Sequence, residues 1–112
     1  MRLEDKVAVI TGAASGQGRA AALLFAKEGA KVVVADLYDE GAQEVVQEIT
    51  GSGGEAIAAR VDVSREVEVE AMIQRAVEEF GRPDVHFNNA GVGYSASDRM
   101  KMASVVETPE KD

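Results

Sequence analysis

The chain of 112 residues is long enough for one small domain, and 46% hydrophobic with 29% charged residues is typical of a globular protein. Its net charge of −8 repels phosphate backbones and anionic lipid, which argues against a nucleic-acid-binding or membrane-surface role, and the absence of cysteine excludes disulfides, thiolate metal sites and a cysteine nucleophile. No apolar run is long enough to span a bilayer, and the start from Met1 to Lys6 is too charged for a signal peptide, so we expect a cytoplasmic protein.

The chain alternates between strand and helix patterns. The predicted strands are short apolar runs rich in β-branched residues, and the predicted helices carry apolar side chains at helical spacing. In chain order the elements are a strand at 6–11, a glycine-rich turn at 12–18, a helix at 19–28, a strand at 31–36, a helix at 39–50, a strand at 56–63, a helix at 65–80 and a strand at 85–88. Gly29 and Gly81 are expected to end the first and third helices, and Ser64 to cap the start of the third.

Strands that alternate with helices of this length indicate βαβ units and a parallel α/β sheet. Because crossover connections are right-handed, we expect the strand order 3-2-1-4, a Rossmann-type doubly wound sheet with an incomplete second half. Residues 1–112 are therefore interpreted as a single nucleotide-binding portion. Within its polar tail, 92–112, Thr108 followed by Pro109 indicates the start of a truncated helix, and an ordinary polar tail is the alternative.

Three glycines lie at the junction between the first strand and the first helix. Gly12 allows a tight turn off the strand, Gly16 leaves room for a pyrophosphate against the backbone, and Gly18 allows the helix to pack closely. The helix that follows directs free amides and a partial positive charge toward that phosphate. Three glycines alone are weak evidence, so a purely structural turn is the alternative.

Asp36 ends the second predicted strand, close to the spacing of about 20 residues past the glycines that dinucleotide binding requires. Its carboxylate can accept hydrogen bonds from ribose hydroxyls and would repel a 2′-phosphate. No Arg or Lys occurs at 13–17 or at Leu37 to offset that repulsion, so we expect NAD rather than NADP as cofactor. A helix cap or a solvated strand end is the alternative for this residue.

Polar sequences also follow the third and fourth predicted strands. Asp62 and Val63 end the third strand, and Asn-Asn-Ala-Gly at 88–91 ends the fourth. Ligands of open α/β sheets bind outside the carboxyl ends of the strands, so both segments are expected near the ligand. Each alone is better explained as a turn, since Asp, Asn and Gly are turn residues.

Together these segments resemble the short-chain dehydrogenase/reductase family over about residues 6–91. The family carries Thr-Gly-x-x-x-Gly-x-Gly, an acidic residue after the second strand, Asp-Val after the third and Asn-Asn-Ala-Gly after the fourth, and all four occur here in order. The resemblance implies an NAD-dependent oxidoreductase that transfers a hydride between a nicotinamide cofactor and a small alcohol or carbonyl substrate, in a homo-oligomeric parent protein.

The resemblance also implies cofactor contacts, spread over the four strand ends. They are Gly12, Ser15, Gly16, Gln17 and Gly18 beside the pyrophosphate and nearby ribose, Asp36 and Leu37 at the adenosine ribose, Asp62 and Val63 at the adenine, and Asn89, Ala90 and Gly91 beneath the ribose. Asn88 is expected to tie the fourth strand to the first near Thr11.

The family's catalytic Ser, and its Tyr and Lys four residues apart, lie after a fifth strand. Tyr94 is followed four positions later by Asp98, and Tyr38 by Ala42, so neither matches, and we assign no catalytic residue. The chain is therefore expected to be the cofactor-binding part of an enzyme and to be inactive by itself.

Two alternatives stay open at this point. One is a complete small protein that binds a dinucleotide without catalysis; the other, a P-loop protein, is disfavoured because no Gly-Lys-Ser/Thr follows the glycines. His86 lacks cysteine or clustered histidine partners, so no metal site is expected.

Overall fold

The structure, a computed structural model, describes residues 3–89, which form a four-stranded parallel sheet with helices on both faces. In chain order the elements are β1 (Val7–Thr11), α1 (Gly16–Lys27), β2 (Lys31–Asp36), α2 (Asp39–Gly51), β3 (Glu55–Arg60), α3 (Glu66–Phe80) and β4 (Val85–Asn88). The strand order β3-β2-β1-β4 confirms the predicted α/β Rossmann-type topology. The expectations for Ala90, Gly91 and the tail at 92–112 lie outside the described residues.

Two apolar layers enclose the sheet. Ile10 and Val34 point toward α1 and α2, whereas Val9 and Val33 point toward α3. Successive side chains of a strand alternate between faces, so β1 and β2 are buried on both sides and their sequences are continuously apolar. Burial on both faces holds these strands in place, and it thereby positions the loops that follow their carboxyl ends.

The first helix begins three residues earlier than predicted, at Gly16 rather than residue 19. Ser15 has an extended backbone at the cap position, and the Arg19 amide donates to its carbonyl at 3.2 Å, which closes the first helical turn. Because glycine has low helix propensity, the glycines in this first helical turn led to the prediction of a loop. The glycine-rich segment is therefore partly the start of α1.

The boundaries around β3 and α3 also differ from the prediction. β3 ends at Arg60, where its register partner Asp36 ends β2, so Asp62 and Val63 lie in a loop after the strand and not in it. The prediction that Ser64 caps α3 is wrong. The cap position of α3 is Arg65, and no side-chain hydrogen bond caps the helix. The Ser64 hydroxyl instead donates to Asp62 Oδ1 at 2.6 Å.

The predicted helix ends are confirmed. Gly29 follows α1 with φ +100° and Gly81 ends α3 with φ +102°, a left-handed backbone that favours glycine. None of the three helices described within residues 3–89 combines the length and the apolar character that a bilayer-spanning helix needs.

Candidate dinucleotide-binding site

The carboxyl ends of the strands meet at one edge of the sheet, which we call the carboxyl edge. Thr11 is in register with Ala35 and with Asn88, and Asp36 with Arg60. The predicted contacts at 12–18, Asp36–Leu37, Asp62–Val63 and Asn89 therefore follow strand ends that lie side by side. Ala90 and Gly91 are outside the described residues.

The amino-terminal turn of α1 faces this edge without a capping side chain. Ser15 occupies the cap position but makes no side-chain hydrogen bond to the helix. The first intrahelical amide bond is that of Arg19, so the amides of Gly16, Gln17 and Gly18 have no intrahelical partner. The first turn of α1 also carries no acidic residue, whereas the first turns of α2 and α3 carry two each. This helix end is thus suited to an anion.

Gly16 and Gly18 serve different purposes in this turn. A Cβ at Gly18 would lie 2.1 Å from the carbonyl oxygen of Gly12 and 3.0 Å from Asn89 Nδ2, so only glycine lets the helix approach the turn this closely. A Cβ at Gly16, which has φ +58°, would meet nothing within 4 Å. Within the part of the chain that the structure describes, the space beside Gly16 is therefore open.

Asp36 is held by two backbone amides. Its Oδ2 accepts from the Ala14 amide at 2.9 Å, and its Oδ1 accepts from the Tyr38 amide at 2.9 Å. The cap position of α2 is Tyr38, with no side-chain cap, so Asp36 does not act as the helix cap that was its alternative. Each carboxylate oxygen keeps further acceptor capacity for a ligand hydroxyl.

Leu37 and Tyr38, which follow Asp36, are among the exposed large hydrophobic residues of the described chain. They are 56% and 58% exposed, respectively. Leu37 was predicted as a contact, whereas the roles of the Ala14 and Tyr38 amides were missed. Backbone amides carry no side-chain signature, so no sequence signal could have identified them.

Asp62 is engaged in a tight turn. Its Oδ1 accepts from the Ser64 amide at 3.0 Å as well as from the Ser64 hydroxyl, and these hydrogen bonds lower the pKa of the Asp62 carboxyl. The Asp62 amide donates to Glu68 Oε1 at 2.9 Å, and Val63 packs against the α3 layer. The local structure therefore has the turn chemistry that was the alternative for this pair, while it keeps both residues at the carboxyl edge.

Thr11 links the first and fourth strands, as the family resemblance implied for Asn88. The Thr11 hydroxyl donates to Asn88 Oδ1 at 2.7 Å and accepts from the Asn89 amide at 3.1 Å. Thr11 is only 1% exposed, so the hydroxyl end of these two partly buried bonds is shielded from water. They hold Asn89 beside Gly18, at the base of the glycine turn.

Replacing Thr11 with valine should therefore destabilise the protein by about 2 kcal/mol, because the near-isosteric change leaves the Asn88 oxygen and the Asn89 amide unpaired. Urea unfolding followed by circular dichroism measures this. Thr50→Val is the matched control, since the Thr50 hydroxyl is exposed and makes only a 3.4 Å contact with the Gln47 carbonyl. Equal midpoints for the two variants would show that the Thr11 link contributes nothing to stability.

His86 lies on β4, in register with Val9, and its Nε2 is buried without a hydrogen-bond partner among residues 3–89. Burial lowers the pKa of its imidazole. In the same part of the chain, no group of three or more His, Asp or Glu side chains is placed to hold a metal ion.

Comparison with known proteins gives consistent matches. A profile of the short chain dehydrogenase family matches residues 6–110. The chain is 50% identical over 92 residues to an uncharacterized oxidoreductase of Methylorubrum extorquens, covering 81% of this chain and 37% of that protein. It is 43% identical over 103 residues to the 7alpha-hydroxysteroid dehydrogenase of Escherichia coli, covering 92% and 40%.

A solved structure gives the same relationship in three dimensions. A 7 alpha-hydroxysteroid dehydrogenase complexed with NADH and 7-oxo glycochenodeoxycholic acid superimposes with a TM-score of 0.75 at 42% identity, over 76% of this chain and 33% of that one. The chain thus spans well under half the length of the curated relatives it matches.

Proposed function

Because the chain belongs to the short-chain dehydrogenase family, we propose that residues 3–89 bind NAD(H) at the carboxyl edge and that the whole protein transfers a hydride between this cofactor and a small alcohol or carbonyl compound. The observation that carries the proposal is Asp36, whose carboxylate is fixed by two amides beside the glycine turn. When bound, the nicotinamide supplies the hydride donor or acceptor. The described residues bind and orient it.

The turn at the start of α1 supports pyrophosphate binding. The amides of the first turn of α1 have no intrahelical partner and no capping side chain, and the space beside Gly16, which no atom of residues 3–89 occupies, would let a phosphate approach the backbone. Arg19, the first cation after the turn, is paired with Glu48 on α2. The proposed phosphate site therefore relies on backbone amides, because Arg19 is paired with a carboxylate on α2.

The charges around Asp36 support NAD(H) over NADP(H). A 2′-phosphate at about 4 Å from a carboxylate is disfavoured by roughly 1 kcal/mol in water and about 4 kcal/mol at an intermediate dielectric. Asp39 and Glu40, in the first turn of α2, add negative charge nearby. Arg60 ends β3 in register with Asp36, but it is solvent-exposed, so water and salt screen its positive charge.

The described residues have a binding role and not a chemical one. Tyr38 is the only tyrosine among residues 3–89, it lies beside Asp36 at the adenosine end of the site, and no lysine follows it four positions later. The proton transfer that accompanies hydride transfer is therefore assigned to other residues of the whole protein.

Isothermal titration with NAD⁺ and NADP⁺ tests the cofactor assignment. We expect NAD⁺ to bind about a hundredfold more tightly, since each 1.4 kcal/mol of charge repulsion is worth about tenfold. The pair AMP and 2′,5′-ADP, titrated in parallel, restricts the comparison to the adenosine half. Equal or tighter binding of the 2′-phosphorylated partner in both pairs would refute the assignment of Asp36.

A further inference from the structure

Gly41, in the first turn of α2, is buried where that helix meets the glycine turn. A Cβ at this position would lie 2.8 Å from the Cβ of Ala14, and 2.7 and 3.0 Å from Cδ2 and Cε2 of the Tyr38 ring. Building on NAD(H) binding as the function of this site, we propose that Gly41 is a positioning residue that sets cofactor preference, because it lets α2 close onto Ala14 and thereby fixes Asp36.

The two neighbours of Gly41 differ in their ability to yield. Tyr38 is 58% exposed, so its ring can turn away from an added methyl group by rotation about its side-chain bonds. Ala14 has only a Cβ, which moves only with its backbone. Nonbonded carbons pack at about 3.5–4.0 Å, so a methyl at 2.8 Å must displace either that backbone or α2.

Displacement of Ala14 reaches the ligand-binding carboxylate directly. The Ala14 amide donates to Asp36 Oδ2 at 2.9 Å, and the preceding amide, that of Ala13, donates to the Ala35 carbonyl at 3.0 Å. A shift of the backbone at residues 13–14 lengthens the hydrogen bond from the Ala14 amide to Asp36, and the carboxylate is then held by the Tyr38 amide alone. A carboxylate with one tether regains rotational freedom.

Two effects on binding follow. A mobile carboxylate is less preorganised to accept the ribose hydroxyls, so NAD⁺ binds more weakly. It can also turn away from a 2′-phosphate, so NADP⁺ is penalised less. Gly41 therefore acts on the ratio of the two affinities, which a purely structural residue would leave unchanged.

The same helix provides a matched control. Gly51 is the last residue of α2, and a Cβ there would meet nothing within 4 Å. Alanine is a better helix former than glycine by about 1 kcal/mol at ordinary helix positions, so both substitutions alter the same helix in the same chemical sense. Only Gly41→Ala places the new methyl against the glycine turn.

The test is calorimetric titration of NAD⁺ and NADP⁺ into the purified protein and its Gly41→Ala, Gly51→Ala and Ala14→Gly variants, and into the double variant Gly41→Ala/Ala14→Gly. For Gly41→Ala we expect the NAD⁺ dissociation constant to rise about tenfold and the preference for NAD⁺ to narrow by at least about fivefold, the order of one lost charge-assisted hydrogen bond. Gly51→Ala should keep the wild-type ratio. Removing the Ala14 methyl should restore most of the preference, as the double-mutant cycle with Ala14→Gly measures.

A folded Gly41→Ala variant with the wild-type ratio, or with both nucleotides weakened equally, would overturn the proposal. If Gly41→Ala does not fold, the double variant Gly41→Ala/Tyr38→Ala relieves the contact with the Tyr38 ring and keeps the new methyl against Ala14. This double variant should show the narrowed preference for NAD⁺ over NADP⁺. A wild-type preference in it would also overturn the proposal. The double variant Gly41→Ala/Ala14→Gly lacks the Ala14 methyl against which the new methyl would press. Its failure to fold would therefore overturn the proposal too.

Asp36→Asn in the same titration separates the two levels of inference. An unchanged ratio in Asp36→Asn contradicts the cofactor assignment itself. A narrowed ratio in Asp36→Asn together with a wild-type ratio in Gly41→Ala contradicts only the role of Gly41.

Discussion

Replacing Gly16 with valine should abolish dinucleotide binding, raising the NAD⁺ dissociation constant by at least about a hundredfold. The Cβ of this residue would project into space where no atom of residues 3–89 lies within 4 Å, beside the amides at the start of α1 that have no intrahelical partner. A branched side chain there would occupy the position proposed for the pyrophosphate. Isothermal titration with NAD⁺ measures the loss.

Gly53→Val is the matched control for this substitution. Gly53 also has a left-handed backbone, φ +93°, and open space around its Cβ, so both variants carry a similar backbone strain of roughly 1–2 kcal/mol. It lies beyond the far end of α2, at the edge of the sheet opposite to the glycine turn. Thermal unfolding should shift similarly in both variants, and only Gly16→Val should lose the nucleotide. Retained affinity in Gly16→Val, or equal loss in Gly53→Val, would mean that the nucleotide binds elsewhere.

Replacing Asp36 with asparagine should reduce the preference for NAD⁺ over NADP⁺ from about a hundredfold to a few-fold, because the charge that repels the 2′-phosphate is removed. NAD⁺ itself should bind about tenfold more weakly, since the asparagine NH₂ cannot accept from the second of the two amides that hold the carboxylate. Titration of both nucleotides measures each effect.

Asp39→Asn removes the same charge from the first turn of α2 and controls for the general field around the site. It should change the preference by no more than about threefold, because exposed charges are screened by solvent and salt. If Asp39→Asn narrows the preference as much as Asp36→Asn does, selectivity comes from the summed acidic field and not from the ribose contact.

The sheet could be predicted from the sequence because buried strands have a recognisable apolar pattern. β1 and β2 are covered on both faces, so each reads as an unbroken apolar run, and their order with β3 and β4 followed from right-handed crossovers. The link between Thr11 and Asn88 was implied by the family resemblance, and the structure confirms it.

What the sequence could not predict depends on backbone atoms and on close approach. The amides that hold Asp36 belong to Ala14 and Tyr38, whose side chains give no hint of this role. Gly41 looks like an ordinary glycine in an amphipathic helix until its distance from Ala14 is known. Ser64 was misplaced for a different reason: a serine hydroxyl can cap a helix or bond within a turn, and only the geometry shows that it bonds to Asp62.

Two helices pack closely against the glycine-rich turn. Gly18 of α1 lies against the Gly12 carbonyl, and Gly41 of α2 lies against Ala14. A loop confined in this way has little backbone freedom left to lose when a ligand arrives. The ordering penalty that flexible loops incur upon association, about 0.5–1.5 kcal/mol for each immobilised side chain and more for the backbone, has therefore largely been met during folding. If the turn binds a nucleotide as proposed, the packing of the two helices lowers the entropy cost of that binding.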